Sequence, residues 1–455
     1  MRKNYFLKFR KALMISAVSL SVTTFAQQWN NVGTSAVVST GFSSYNNLAI
    51  DASGNYYISY YDVSAGKGSV QKFDGTSWSY VGGSAGITTG LATYSSLALD
   101  MQGNIYYSNQ AAYPDTGMEM RKFSSGSWAV LPQPTTSTVN FQATAVSPST
   151  NTLFAYSSDD SGTVRRYNNG IWEQVGDAGF AGGSTYAEMA IGSDNNIYTV
   201  QFAGGVVLVY KISANATSSD TWTLVGGSPV GSAYAMDNSY CDIALDGNNV
   251  PYVVYVSNAG DGRKLNVKKF DENSWVQIGT ANFTDTVVNN AAITVSPDGT
   301  PYVIAGIWDY SNPNHGKNSV YTTNGGNWEK VGSPFLSSAT ATYNDIAFDT
   351  ANNNLVVTYS EGGMRVKRFA LNNLSVNDVK NKDTFGVYPN PTNGIVYFKD
   401  EKTIKSLEVV NVVGQKMSTG TFGNQIDISD APKGIYFIKA THEDGKTSVK
   451  KLIKK

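Results

Sequence analysis

Apolar and polar residues alternate along most of this chain, in short bursts. "YYISYYD" (56–62), "PYVVYVS" (251–257) and "PYVIAGI" (301–307) are rich in β-branched and aromatic residues at or near period two. Such runs predict strands. Before each comes a turn of Asp, Gly or Asn, as in "ASGN" (52–55) or "PDGT" (297–300). These residues tolerate positive φ and close hairpins.

The bursts repeat in a fixed order. An aromatic opens "YNNLAID" (45–51), "YSSLALD" (94–100), "FQATAVS" (141–147), "YAEMAIG" (186–192), "YCDIALD" (240–246) and "YNDIAFD" (343–349); "NAAITVS" (290–296) is the exception. An alternating strand, a variable loop and a strand such as "SVQKFD" (69–74) follow. A tryptophan phrase ends the unit: "SWSYVGG" (77–83), "SWAVLP" (127–132), "IWEQVGD" (171–177), "TWTLVGG" (221–227), "SWVQIGT" (274–280) and "NWEKVGS" (327–333). Four short strands in roughly 50 residues, repeated, are the signature of a β-propeller. A seventh phrase, "QWNNVGT" (28–34), stands alone at the front, and the unit from Tyr343 to Leu371 lacks one. Joining the two completes seven units. The expected fold is therefore all-β: a seven-bladed β-propeller over 27–371 whose N-terminal strand closes the last blade.

Several repeated features need only packing to explain them. One Trp per unit suits an inter-sheet contact. Ala49, Ala98, Ala145, Ala190, Ala244, Thr294 and Ala347 suit a crowded first strand near an axis. The Asp-Gly-Asn turns lack the dense acidic spacing of a calcium loop.

Composition narrows the function classes. The chain has 455 residues, 15% of them charged, with one cysteine, Cys241, so no intrachain disulfide can form. Its formal charge of -1 divides unevenly into +5 for residues 1–26, -10 for 27–373 and +4 for 374–455. An acidic middle repels phosphate backbones, which argues against a nucleic-acid partner. Residues 1–26 have a basic start, a short apolar run "ALMISAVSLSV" and a small Ala26, the pattern of a signal peptide. No later stretch is long and apolar enough to span a membrane, so none is expected in the mature chain.

Strands that alternate in direction put the long loops on one face. Tyr45, Tyr94, Phe141, Tyr186, Tyr240 and Tyr343 should surround the channel mouth there. They either fill the axis or bind a ligand, since Tyr combines a flat apolar face with a hydroxyl. Trp308 is the one Trp outside the repeated phrase, in a loop with Asp309, Tyr310 and His315. It is the best single candidate for ligand contact. Two histidines, His315 and His442, stand far apart, so no His-based metal site is expected, and no cofactor is called for. No nucleophile elbow or phosphate loop is present. Glu188, Asp242 and Asp345, each two residues after its blade's opening aromatic, could form an acidic group at the mouth. The preferred reading is recognition of a glycan or other surface polymer. The alternatives are a polysaccharide hydrolase or lyase using those acids, and a protein–protein interaction module of the cell surface.

After Leu371 the repeat ends. Residues 372–384 read as a polar linker. Residues 385–455 read as about seven short strands in a small Ig-like β-sandwich. "YPNP" (Tyr388, Pro389, Asn390, Pro391) with Gly394, "VVNVVGQ" with Gly414, "GIYFIK" with Gly434 and Tyr436, and the closing "KKLIKK" containing Lys451 occur in order. This part closely resembles the C-terminal sorting domain of cargo of the type IX secretion system of Bacteroidota. The resemblance implies the secretion machinery as a partner and a secreted or surface-attached product.

Overall fold

The structure, a computed structural model, describes residues 28–112, 115–184, 186–234, 241–371, 385–399, 403–411, 415–417, 420–422, 424–443 and 447–455. The expected signal peptide (1–26), Tyr240, the expected linker and Gly414 lie outside the described residues. The chain divides into two compact units, Met1–Leu371 and Asn372–Lys455.

The first unit is all-β among its described residues, with three short 3-10 turns and no α-helix. It holds seven antiparallel sheets. Five are runs of four consecutive strands, and the sheet starting at Tyr186–Ile191 adds a short fifth, Gly231–Ser232. The last is assembled from both ends of the unit: Asn30–Asn31 pairs with Met364–Ala370, Asn30 opposite Arg368 and Asn31 opposite Lys367. The lone front phrase is thus the fourth strand of the sheet begun at Thr342–Asp349.

The first strands of the seven sheets touch one another in a closed circle. Ser43–Ile50 meets Ser96–Leu99, and contact continues through Gln142–Val146, Tyr186–Ile191, Cys241–Leu245, Val288–Val295 and Thr342–Asp349 back to Ser43–Ile50. Strand side chains alternate between faces, so each sheet feeds two different cores. Tyr56, Ile58 and Tyr60 pack with Val356 and Val366 of the last sheet. Tyr57, from the same strand, packs with Ile105 and Tyr107 of the next. Val254 and Val256 likewise face Ile293 and Val303, whereas Val253 and Tyr255 face Val200 and Val209.

The tryptophan phrase works across these interfaces. Each indole N–H donates to a main-chain carbonyl in the phrase of the preceding sheet: Trp78 to Val32 at 2.8 Å, Trp128 to Val81 at 2.9 Å and Trp172 to Pro132 at 2.7 Å. Trp275 reaches Val225 at 3.1 Å and Trp328 reaches Ile278 at 3.1 Å. Trp29 reaches Val331 at 2.8 Å, which carries the series across the seam. Trp222 is the exception; it stacks on Phe180 at 4.2 Å, and its indole N–H is buried without a partner. Six of the seven phrases have Gly after the aliphatic residue, Pro132 being the exception, and the next indole lies close to that position. A Cβ on Gly82 would stand 2.9 Å from Trp128 Cδ1, with φ at +85°. A Cβ on Gly332 would stand 2.7 Å from Phe369 and 3.1 Å from Trp29.

The second unit has two sheets. One orders Gly386–Tyr388, Ile395–Lys399, Gln425–Asp427 and Gly420–Phe422; the other orders Ile404–Asn411, Gly434–His442 and Thr447–Lys454. Phe385, Val396 and Ile426 share one core with Val409, Ile438 and Leu452, so the two sheets face each other.

The closure generates a prediction. Residues 29–32 donate one indole bond and accept another, at the two interfaces of the last sheet. Deleting 28–34 should lower the melting temperature well beyond the effect of trimming an exposed loop such as 309–313. Gly82→Ala should cost about 1–3 kcal/mol, from a disallowed φ and overpacking. Thermal denaturation of the three variants checks both; an unchanged melting temperature on deletion would remove the seam from the account.

Candidate functional site

The ring of first strands encloses a cavity of about 340 Å³. Its rim is aromatic, and a local irregularity aims the rings. Pairing of the first and second strands breaks between Ser44 and Asn47, between Asn289 and Ala292, and between Thr342 and Asp345. Bulges re-aim side chains at the ends of sheets. Tyr45, Asn290 and Tyr343 sit in these bulges at φ of 53°, 54° and 53°, and Tyr94 has φ 47°. Bulky residues seldom adopt this conformation.

The result is an unbroken aromatic arc. Tyr343 and Tyr45 lie 5.1 Å apart between ring centroids, Tyr45 and Tyr94 5.1 Å, Tyr94 and Phe141 5.2 Å, and Phe141 and Tyr186 6.3 Å. All five rings are partly buried and line the cavity. Burial first, then the Tyr343 and Tyr94 hydroxyls, push the Tyr45 hydroxyl up to about 12. The hydroxyls are therefore clustered. On the far side Asn290 accepts from Tyr343 N at 3.3 Å.

Below the rim are the three acids, and two of them are latches. Asp345 accepts Leu48 N, in the next sheet, at 2.7 Å through one oxygen and Ile346 N at 2.7 Å through the other. Asp242 accepts Ile293 N at 2.8 Å and Ile243 N at 2.7 Å in the same way. Ser96 does this at the equivalent position with a neutral hydroxyl, accepting Thr144 N at 3.1 Å. Glu188 occupies that position too, but its counterpart, Ile243 N, is taken by Asp242. One Glu188 oxygen accepts the Tyr186 hydroxyl at 2.8 Å, and no backbone N–H reaches the carboxyl among the described residues.

Three carboxyls in one cavity resist ionisation. Burial, then the Asp242 and Asp345 charges, raise Glu188 well above the ordinary carboxylate range. Burial, then Asp242, raise Asp345 to about 7 against the pull of the Leu48 and Ile346 N–H groups. Burial raises Asp242 as well. No group of three His, Cys, Asp or Glu among the described residues is placed to hold a metal ion.

Sequence reasoning missed Asn46. It lines the cavity, is 8% exposed, and both its amide oxygen and its amide nitrogen lack partners. Only its place beside Tyr45 in the repeat could have drawn attention to it. Trp308 is placed differently from the ring: it does not line the cavity. Its main-chain N–H donates to Val287 O at 2.8 Å, and Asp309 accepts the Thr286 hydroxyl at 2.6 Å. These bonds pin the loop beside the strand carrying Asn290. Tyr310 is 80% exposed and stacks on His315 at 4.2 Å, with Trp308 5.1 Å from the same imidazole.

In the second unit the first and last blocks of the expected sorting motif are bonded to each other. The Asn390 amide donates to Lys451 O at 2.6 Å and accepts Ile453 N at 2.9 Å, while Thr392 N donates to Ile453 O at 2.8 Å. "YPNP" is thereby stapled to the C-terminal strand. A Cβ on Gly394 would meet Ser429 Oγ at 2.3 Å. Tyr436 donates its hydroxyl to Pro432 O at 2.6 Å, and exposed Tyr388 stacks on Tyr397 at 5.9 Å. Gly434 begins the strand that carries Tyr436. Lys451 is exposed; the buried lysine is Lys454, whose ammonium donates to Ile428, Ser429 and Ala431 carbonyls.

Residues 386–455 match the family described as Secretion system C-terminal sorting domain. The match implies handling by the type IX secretion system and indicates a secreted or cell-surface protein. No helix among the described residues is long and apolar enough to cross a membrane. No curated protein matches the chain. Among solved structures, the chain is similar to a protein of unknown function from Dyadobacter fermentans DSM 18053, at 12% identity over 76% of this chain and 97% of that one, TM-score 0.41. It is similar to the SapL1 lectin in complex with alpha methyl fucoside, at 11% identity over 67% and 100%, TM-score 0.43. It is similar also to an alpha-L-arabinanase of Penicillium chrysogenum complexed with arabinobiose, at 10% identity over 61% and 92%, TM-score 0.38.

The acids set a pH dependence of stability. Unfolded, the three carboxyls titrate in the ordinary range near 4; folded, all three hold their protons to higher pH. The folded state then binds more protons across that window, so stability falls as pH rises from the ordinary carboxylate range to about 7. Replacing Glu188, Asp242 and Asp345 by Gln, Asn and Asn should flatten that fall. Melting temperatures between pH 4.5 and 8 for both proteins test it, and identical slopes would refute it.

Proposed function

We propose that residues 27–371 form a seven-bladed β-propeller that recognises a glycan or other surface polymer at its long-loop face. The mature chain would lack a signal peptide (1–26) and carry, beyond a linker (372–384), an Ig-like sorting sandwich (385–455) for export. The observation that carries this reading is the aromatic arc: five contiguous rings rimming an axial cavity. A plug would need only to fill the axis. Here the rings leave about 340 Å³ open, near the lower end of the about 300–1,000 Å³ range of ligand pockets. The Trp308–Tyr310–His315 group, with Tyr310 exposed and the other two half-buried, is pinned beside one of the channel strands and supplies a second aromatic surface for a longer polymer.

The hydrolase or lyase reading draws on one observation, the raised Glu188 carboxyl, which suits a general acid. Asp242 and Asp345 count against it, since each has both oxygens committed to main-chain N–H groups. Polysaccharide turnover lost on Glu188→Gln would favour the enzyme.

A glycan-array screen of the mature chain tests the proposal. Hits are expected to disappear with Tyr94→Ala and to weaken about tenfold with Trp308→Ala, the scale of one lost aromatic contact. No hits from a protein shown to be folded by circular dichroism would end the glycan reading. A partner then captured from cell-envelope extract would install the protein-interaction reading.

A further inference from the structure

We infer that the axial cavity receives a protonated amine borne by a sugar, an unacetylated hexosamine unit of the polymer. The inference rests on the glycan reading above and adds the chemistry of the group bound.

The charged side chains lining the cavity are all acidic among the described residues. Glu188, Asp242 and Asp345 all line it, and its lining holds no Lys, Arg or His. The two aspartates are fixed by main-chain bonds within their own strands and to the next. They cannot swing apart to relieve repulsion. Burial and mutual repulsion favour the protonated carboxyls of Glu188 and Asp345 in the empty cavity. An ammonium beside Glu188 would offset the carboxylate charge with N–H donors of its own, and an aspartate oxygen that already accepts one N–H keeps a lone pair to accept another. The placement required for a bare ion is absent among the described residues.

Asn46 is the independent observation. A side chain that is 8% exposed with both amide atoms unpaired is costly. It asks for a guest offering a donor and an acceptor side by side, as adjacent sugar hydroxyls do. The rim adds aromatic surface: Tyr45, next to Asn46 in sequence, and Tyr94 and Tyr343 beside it line the same cavity, and aromatic rings suit both a sugar and a positive charge. Amine, hydroxyl pair and flat ring occur together in a hexosamine. A simple alkyl amine would leave Asn46 unpaired.

The test is calorimetry on the mature full-length chain at pH 6, comparing a glucosamine hexamer with the N-acetylglucosamine hexamer. The amine form should bind at least tenfold more tightly. Repeating the titration in two buffers of different ionisation enthalpy should show proton release, as carboxyls give way to the ammonium. Glu188→Gln should abolish the preference while its melting temperature stays equal to or above that of the parent, because removing like charge does not unfold the ring. Asn46→Ala should weaken both hexamers. Equal binding of the two hexamers, or binding of neither by folded protein, overturns the inference. Neutral-sugar hits that still require Tyr94 would leave the parent reading standing in that case. Preference for a hexalysine peptide over the glucosamine hexamer would also overturn it, by moving the cavity to a protein ligand.

Discussion

The bond from each indole N–H to a carbonyl of the preceding sheet is the contact around which the first unit is organised. A four-stranded sheet with apolar side chains on both faces cannot stand alone in water. It needs a neighbour on each side, and only a closed circle gives every sheet two. The indole sets the spacing of that circle. It places a large apolar ring at the outer part of the interface and ties it to a main-chain oxygen, a contact worth about 0.5–1.5 kcal/mol net beyond the burial itself. Six of the seven tryptophans make it. Residues 29–32 stand at the seam, where Trp29 donates to Val331 and Val32 accepts from Trp78. A chain end is thereby part of the structural ring rather than an appendage to it.

Closure at the outside forces crowding at the inside. Seven first strands converge, and their main-chain N–H groups must find partners across sheet boundaries. Ser96, Asp242 and Asp345 meet this need from one repeat position, each accepting the N–H at the equivalent site of the next sheet. The bulges at Tyr45, Asn290 and Tyr343 belong to the same geometry: they end the regular pairing where the strands reach the mouth and turn the rings inward. Rim and floor are thus both consequences of how the ring is packed.

Much of the first unit was legible in the sequence because it is written seven times. The alternating runs marked strands, and the unpaired phrase at 28–34 marked the partner of Met364–Ala370. The Gly after the aliphatic residue in six of the seven phrases was visible, but its reason was not; the indole that a Cβ at Gly82 would strike comes from Trp128, in the next repeat. The same blindness covers the site. Repetition named the ring aromatics and the three acids, yet gave no hint that Asp242 and Asp345 are held by main-chain N–H groups of the next sheet, 51 and 297 residues away, or that Trp308 stands outside the cavity. Asn46 was hidden because an unpaired amide is a property of what does not reach it. Tyr240, expected in the ring, falls outside the described residues. In the second unit the motif blocks were legible as a set, and the structure gives their physical link: Asn390 joins the first block to the last.

The remaining question is why acids occupy three of these positions at all. The latch does not require charge, since the Ser96 hydroxyl performs it with a neutral group. Asn47, in the first sheet, also bridges to the next sheet without charge, donating to Ser95 O at 3.0 Å. Carboxylates make stronger bonds to N–H groups, but three in one cavity repel, and that repulsion costs the folded ring stability as the carboxyls ionise. Glu188 sharpens the point, because it latches nothing among the described backbone N–H groups and adds only charge to the cavity. Local packing accounts for Ser96, and in part for Asp242 and Asp345. It does not account for Glu188 beside them, or for an unpaired Asn46 in the same wall. On the proposal above, both become favourable when something cationic and hydroxylated enters, so the feature that costs the fold stability would be the one that gives the cavity its selectivity.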